Sequence, residues 1–387
     1  MGRCLLCGFE GKLVSSSLGV CASCLKSRPV EALRIVRRRR GRWRLGLFNL
    51  PPSVPGGGRG SVTCRICVNE CSIPEGGVGY CGVWANRGGR LEYTAGGGHV
   101  IAYTYLDPHP TNCVATPVCP AATDRGYPKY TFTRGVEYGY YNLAVFMGGC
   151  PLDCVFCQNW DHKLVVKGGR PDPGYIRDVG ELVDEADRGD VTCICYFGGD
   201  PTPHTPILLR ASKAMLERAR AKGRVFRVCW ETDGQVNSAL ARQMALISLE
   251  SGGIVKVDWK AWTPSIYEAL TGVNGVKGVE RLKANTRIIA GLATRRSEPP
   301  LLVVSTLLVP GYVDAGEVEG IAGYIAGLME EYGINIPMVL LAFYGAHLMK
   351  DMPSTSINHA REAVEAAKAA GIKEVYVGNE WLLGPYY

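Results

Sequence analysis

No window of this 387-residue chain approaches 18 uncharged apolar residues, which argues against a membrane-spanning helix and a membrane partner. The first residues, Met-Gly-Arg-Cys-Leu-Leu-Cys, lack the apolar stretch of a signal peptide, so the expected location is the cytoplasm. Charged residues make up 20% and apolar residues 47%, which excludes a disordered chain and describes an ordinary globular protein. The length allows two or three domains and at least one large core. Net charge is only +7, but it is unevenly spread. Arg34, Arg37, Arg38, Arg39, Arg40, Arg42 and Arg44 crowd one short stretch, which reads either as a solvated face or as a phosphate-binding patch for RNA.

What the chain does have is cysteine, 16 of them. In a reducing compartment, clustered C-x2-C spacings hold metals far more often than they form disulfides. Cys4, Cys7, Cys21 and Cys24 form C-x2-C-x13-C-x2-C, the spacing of a zinc ribbon, with a rubredoxin-like iron or a cluster as alternatives. So short a segment has too little core to fold without its metal, so a structural role is expected. Cys64, Cys67, Cys71 and Cys81 offer a second set of four, suited to zinc or to an auxiliary iron–sulfur cluster. Cys113 and Cys119 either complete such a cluster or sit buried near the main fold. Cys193, Cys195 and Cys229 lie in apolar strand-like runs and read as small buried hydrophobes.

Cys150, Cys154 and Cys157 are different. Their C-x3-C-x2-C spacing follows the apolar run Tyr140–Phe146 and supplies three thiolates from one loop. Three thiolates can hold three irons of a cubane cluster and leave the fourth iron without a protein ligand. A closed zinc site or an electron-transfer cluster normally takes four. The spacing therefore predicts an open coordination position, which chemistry at a metal requires.

Segment 51–60, Pro-Pro-Ser-Val-Pro-Gly-Gly-Gly-Arg-Gly, has linker composition. Three units follow: 1–50, a zinc-ribbon-like segment with the basic run and a short helix from Pro29; 51–137, a Cys-rich segment; and 138–387. In the last unit, strand-like runs at 140–146, 191–197, 225–230, 254–259, 301–309, 338–343 and 374–377 alternate with helical patterns. Those patterns cover 176–187, 206–222, 237–251, 276–293, 314–331 and 356–370. The predicted class is α/β: a partial (β/α)6 TIM-like barrel preceded by small Cys-rich metal-binding segments. In such folds chemistry gathers at the C-terminal ends of strands. There the chain places Gly198-Gly199-Asp200-Pro201, Glu231-Thr232-Asp233-Gly234 and Asp258-Trp259-Lys260, and then Val309-Pro310-Gly311-Tyr312. The two glycines would leave backbone N–H groups open to a ligand. The carboxylates suit an ammonium group or ribose hydroxyls, and Lys260 suits a carboxylate.

The three-Cys loop, with Phe156 before its last cysteine, resembles the signature loop of the radical SAM superfamily. Residues 138–380 resemble its pyruvate formate-lyase activating enzyme branch through Gln158-Asn159-Trp160, the Gly-Gly-acidic-Pro turn, Glu231-Thr232, Asp258-x-Lys260, Val309-Pro310-Gly311 and Val375-Tyr376-Val377-Gly378-Asn379. The barrel with segment 64–81 is similar to the AmmeMemoRadiSam-system radical SAM enzymes. The resemblance implies a 4Fe-4S cluster on Cys150, Cys154 and Cys157 with S-adenosylmethionine (SAM) on its open iron. It further implies the methionine amine at Gly198–Pro201, ribose at Glu231 and Asp258, carboxylate at Lys260, and adenine near Phe156. Three positions depart from the family pattern: Asp200 for Glu, Asp233 for Asn, and Phe343-Tyr344 where a His is frequent. The implied activity is reductive SAM cleavage to a 5′-deoxyadenosyl radical that takes hydrogen from a substrate. A donor such as ferredoxin or flavodoxin would supply the electron. A protein glycyl residue is the first substrate class implied; RNA modification, or a non-enzymatic multi-metal nucleic-acid-binding or redox protein, are the alternatives.

Overall fold

The computed structural model describes residues 2–387. Nine strands form one sheet: β1 (His99–Pro108), β2 (Tyr141–Met147), β3 (Ile176–Asp178), β4 (Val191–Gly198), β5 (Arg227–Thr232), β6 (Val255–Asp258), β7 (Leu302–Leu308), β8 (Met338–Ala342) and β9 (Val375–Gly378). Their order is β9-β8-β7-β6-β5-β4-β2-β1-β3. From β2 to β9 all neighbours run parallel, whereas β1 is antiparallel to both β2 and β3. Sequential parallel strands with helical returns are the predicted α/β class. The outer strands β9 and β3 do not pair with each other, so the barrel is partial.

The helices are α1 (Ala22–Ser27), α2 (Pro29–Trp43), α3 (Val179–Ala186), α4 (Thr205–Ala221), α5 (Ser238–Ser251), α6 (Pro264–Thr271), α7 (Gly275–Ala293), α8 (Ala315–Tyr332) and α9 (Ile357–Ala369). Strand β7 is buried along its whole length, as a parallel strand covered on both faces must be. Five helices begin at a polar side chain that accepts from first-turn N–H groups: Asp178, Asn237, Asn274, Asp314 and Ser356. The expected helix over 176–187 starts later than its periodicity suggests. Residues 176–178 pair with 99–101 at the sheet edge, and Asp178 caps the helix that follows. Two elements had no counterpart in the sequence reading, α6 and the ten-residue strand β1.

The N-terminal segment docks on the barrel through α6 and the loop after β7. Ser265 Oγ donates to Leu25 O at 2.6 Å, and Tyr312 O–H donates to Val20 O at 2.7 Å while accepting from Ser15 N–H at 3.0 Å. Val309–Tyr312 therefore anchors this segment rather than facing the barrel interior; a Cβ on Gly311 would lie 2.4 Å from Leu13 O. Among the described residues, no helix is long and apolar enough to cross a membrane.

Candidate functional site

The parallel strands end around a cavity of about 630 Å³. Cys150, Cys154, Cys157, Phe156, Gly198, Gly199, Asp200, Glu231, Asp258 and Lys260 all line it, so residues scattered over more than a hundred positions converge. Pro201 does not line it; it lies buried under the turn, where its carbonyl accepts from His204 N–H and Thr205 Oγ.

The loop carrying the three cysteines is fixed by contacts from every side. Asp153 N–H donates to Thr271 O at 2.6 Å and Val155 N–H to Leu270 O at 3.0 Å, both on α6. Between Cys150 and Cys154, the Asp153 carboxylate is 1% exposed and meets three cations. Arg40 approaches it at 3.0 Å and Arg44 at 3.1 Å, with Lys163 on its other side. Burial alone would push this carboxyl up; Lys163, Arg44 and Arg40 hold it well below the usual range. Burial likewise raises the thiols, Cys154 to about 12. Lys260 and Lys163 pull the other way at Cys154 and Cys157. A metal must displace those protons, and the surrounding cations favour the thiolates it needs. The donor set fits an iron–sulfur cluster with an open position.

The Gly198-Gly199 turn serves packing more than ligand binding. Gly199 N–H donates to Met147 O at 3.0 Å, so it is not open to a ligand as the sequence suggests. A Cβ on Gly199 would stand 2.3 Å from Gly149 O, which is why the turn can lie against the cysteine loop only with glycine there. Asp200 is buried, accepts from Thr202 N–H at 2.7 Å and Asp233 N–H at 2.6 Å, and is pushed by burial to about 6. Asp233 is raised further by burial and by the Asp200 charge. Two carboxyl groups so close and so dry are arranged to receive a cation. Asp258 pairs with Lys260, yet its buried Oδ1 has no hydrogen-bond partner, which leaves an acceptor for a ligand hydroxyl. Lys260 Nζ lies 5.7 Å from the centre of the Phe156 ring.

Cys4, Cys7, Cys21 and Cys24 place their sulfurs within 4.8 Å of one another. The Cys4–Cys24 and Cys7–Cys21 separations are both 3.8 Å. A tetrahedron with metal–sulfur bonds of about 2.3 Å has edges of about 3.8 Å, so the four fit a single ion. Cys64, Cys67, Cys71 and Cys81 also gather, each raising a neighbour's pKa, but not within that distance as a set. Their segment touches the main loop, where Asn69 Nδ2 donates to Pro151 O at 2.7 Å. Cys113 and Cys119 do not join them; they stand instead with Lys256, Cys195 and Cys229 inside the barrel.

The arginine run divides. Arg40 and Arg44 are buried on Asp153, Arg37 pairs with Glu268 at 2.5 Å, and Arg39 donates to Ser16 O and Ser17 O. Arg34, Arg38 and Arg42 are the exposed remainder. Sequence reading missed Asp153, Lys163 and Lys256. The signals were present: a lone carboxylate amid an apolar cysteine loop, and a lysine two residues before Asp258 in a strand, hence on the same face.

Residues 144–321 match the model of the Radical SAM superfamily. The chain carries a radical SAM domain. It is 25% identical over 320 residues to an uncharacterised protein of Methanocaldococcus jannaschii, covering 82% of this chain and 81% of that one. It is 29% identical over 224 residues to a 7-carboxy-7-deazaguanine synthase of Thermococcus kodakarensis, covering 48% of this chain and 86% of that one. Among solved structures, a domain of a pyruvate-formate lyase-activating enzyme from Bacteroides vulgatus is 16% identical with a TM-score of 0.35, covering 48% of this chain and 98% of that one. SuiB of Streptococcus suis bound to S-adenosylmethionine is 12% identical with a TM-score of 0.41, covering 60% and 49%. The radical SAM domain supports a 4Fe-4S cluster and SAM as cofactors.

Proposed function

We propose that this protein is an enzyme that cleaves SAM reductively and uses the resulting radical to take a hydrogen atom from a substrate in the barrel cavity. The observation that carries this reading is the three-cysteine loop opening onto the same cavity as Asp200, Glu231, Asp258 and Lys260. In the proposed site, Cys150, Cys154 and Cys157 hold the cluster and Phe156 stands by the adenine. The Gly198–Asp200 turn, with Asp233 behind it, takes the methionine ammonium group. Glu231 and the unpartnered Asp258 Oδ1 accept from ribose hydroxyls, and Lys260 pairs with the methionine carboxylate. When bound and reduced, the cluster supplies one electron to the sulfonium, breaking a C–S bond to give methionine and a 5′-deoxyadenosyl radical. The chain's part is to orient SAM and exclude water.

Zinc is proposed at Cys4, Cys7, Cys21 and Cys24, supported by the 3.8 Å sulfur separations. An auxiliary iron–sulfur cluster is proposed at Cys64, Cys67, Cys71 and Cys81, supported by their wider spread. For the substrate, a protein glycyl residue rests on the sequence resemblance alone. RNA modification loses support because most of the arginine run is spent inside the protein. A low-potential donor of the ferredoxin or flavodoxin kind is proposed to reduce the cluster.

Anaerobically reconstituted protein, reduced in the presence of SAM, should release 5′-deoxyadenosine, and Cys154→Ala should abolish that release. Release unaffected by the substitution would sink the proposal.

A further inference from the structure

The cavity contains a group that the proposed SAM site does not use. Its floor is closed by segment 111–119, which packs through Ala115 and Val118 against Ile254, Val303 and Val339 at the starts of β6, β7 and β8. From that floor Cys113 reaches the cavity wall. Among the described residues it is the one cysteine lining the cavity besides Cys150, Cys154 and Cys157, and no tyrosine lines it.

A buried cation holds the Cys113 sulfur in place. Lys256 Nζ donates to Cys113 Sγ at 3.1 Å and to Cys195 Sγ at 2.9 Å, and lies 3.4 Å from Glu231 Oε2. Lys256 is 1% exposed, so its ammonium depends on these three partners. Along the strands, Lys256 stands two residues before Asp258 and Cys195 two before Phe197, so they form the layer directly beneath the lining residues. Burial raises the pKa of both Cys113 and Cys195, leaving the thiols protonated at neutral pH despite the ammonium between them. A protonated thiol is a weak nucleophile and a good hydrogen-atom donor, because its S–H bond is weaker than the C–H, N–H and O–H bonds around it.

We propose that Cys113 is the hydrogen-atom donor that this cavity presents to a carbon radical, with Lys256 as the positioning residue that holds its sulfur there. The proposal rests on the SAM-cleavage reading above. In the step, the S–H bond breaks homolytically, a C–H bond forms at the radical carbon, and a thiyl radical remains on Cys113. One electron from the donor that reduces the cluster, with one proton from solvent, restores the thiol.

The test needs no knowledge of the substrate. Reconstituted full-length protein is reduced with titanium(III) in D2O, with SAM and no added thiol or substrate, and the fraction of 5′-deoxyadenosine carrying deuterium is read by mass spectrometry. This fraction is independent of how much product forms. The wild type should transfer deuterium from the exchanged thiol, and Cys113→Ser should lose that label. Cys195→Ala should keep it, because Cys195 does not line the cavity. Lys256→Met should lower the fraction, whereas Lys256→Arg, which retains a donor, should preserve it. Unlabelled product from the wild type, or label unchanged in Cys113→Ser, would overturn the assignment. Equal fractions in the two Lys256 variants would overturn the positioning role. Absence of any 5′-deoxyadenosine, by contrast, would count against SAM cleavage itself.

Discussion

Asp153→Asn is the substitution with the clearest expected cost. It keeps the shape of the side chain but leaves Arg40, Arg44 and Lys163 buried around a neutral group; the two arginines are 4% and 1% exposed. Removing one member of a buried charge network costs about 3–5 kcal/mol, because the others remain dry and unpaired. Against a typical total stability of about 5–15 kcal/mol, that is a large share. Arg40→Met should cost less, about 1–3 kcal/mol, since Asp153 keeps two cations while the Ala269 carbonyl loses its donor at 2.6 Å. The double variant should cost less than the sum, because the second change removes a cation that the first had stranded. Denaturant midpoints with unchanged slopes would measure all three. Iron content after reconstitution gives a second readout, since the carboxylate lies within the cysteine loop and Asp153→Asn should lower it. Strictly additive costs, or an Asp153→Asn loss below about 1 kcal/mol, would refute the network account.

Other expectations follow from single contacts. Cys21→Ser should remove one bound metal per chain, measured by elemental analysis, and make the N-terminal segment protease-sensitive while iron at the main loop is retained. Gly199→Ala puts a methyl group 2.3 Å from Gly149 O and should displace the cysteine loop, read as reduced iron incorporation. Glu137 is buried; burial would raise its pKa, but hydrogen bonds and charge from Arg227 bring it from 4.5 to about 2. Its folded pKa is thus depressed, so its contribution, about 3 kcal/mol, is present above pH 4.5 and lost as pH falls toward 2. Glu137→Gln should flatten the stability profile in that window, and an unchanged slope would contradict the assignment. Arg34→Glu with Arg38→Glu should change stability by no more than about 0.5 kcal/mol each, in contrast to the buried Arg40.

The parallel sheet was legible because each of its seven parallel strands is a short apolar run bounded by helix signals, and β7 shows the limit of that pattern in being wholly buried. Strand β1 was not legible. Its alternating burial makes it half-exposed, and its pairing with β2 depends on a partner more than thirty residues away. The convergence of Cys150, Asp200, Glu231 and Asp258 could be read from strand ends, since a parallel barrel sends those ends to one face. The role of Gly199 could not, because its reason is a neighbouring carbonyl and not a ligand.

The arginine run shows why local pattern misleads most where charge is concerned. Seven arginines in one short stretch look the same whether they face solvent, a polyanion or the protein itself. What decides is the partner, and for Arg40 and Arg44 that partner is Asp153, 113 positions from Arg40 in the chain. The informative residue was therefore the anion. A carboxylate between two cysteines and flanked by Pro151, Leu152 and Val155 has nowhere to go but inward, and a buried carboxylate requires cations. The sequence offers a surplus of cations in one place, α2. That reasoning joins the N-terminal helix to the cysteine loop before any coordinates are consulted. It also makes α2 a support of the proposed metal centre, a role that a reading of the basic run on its own would never reach.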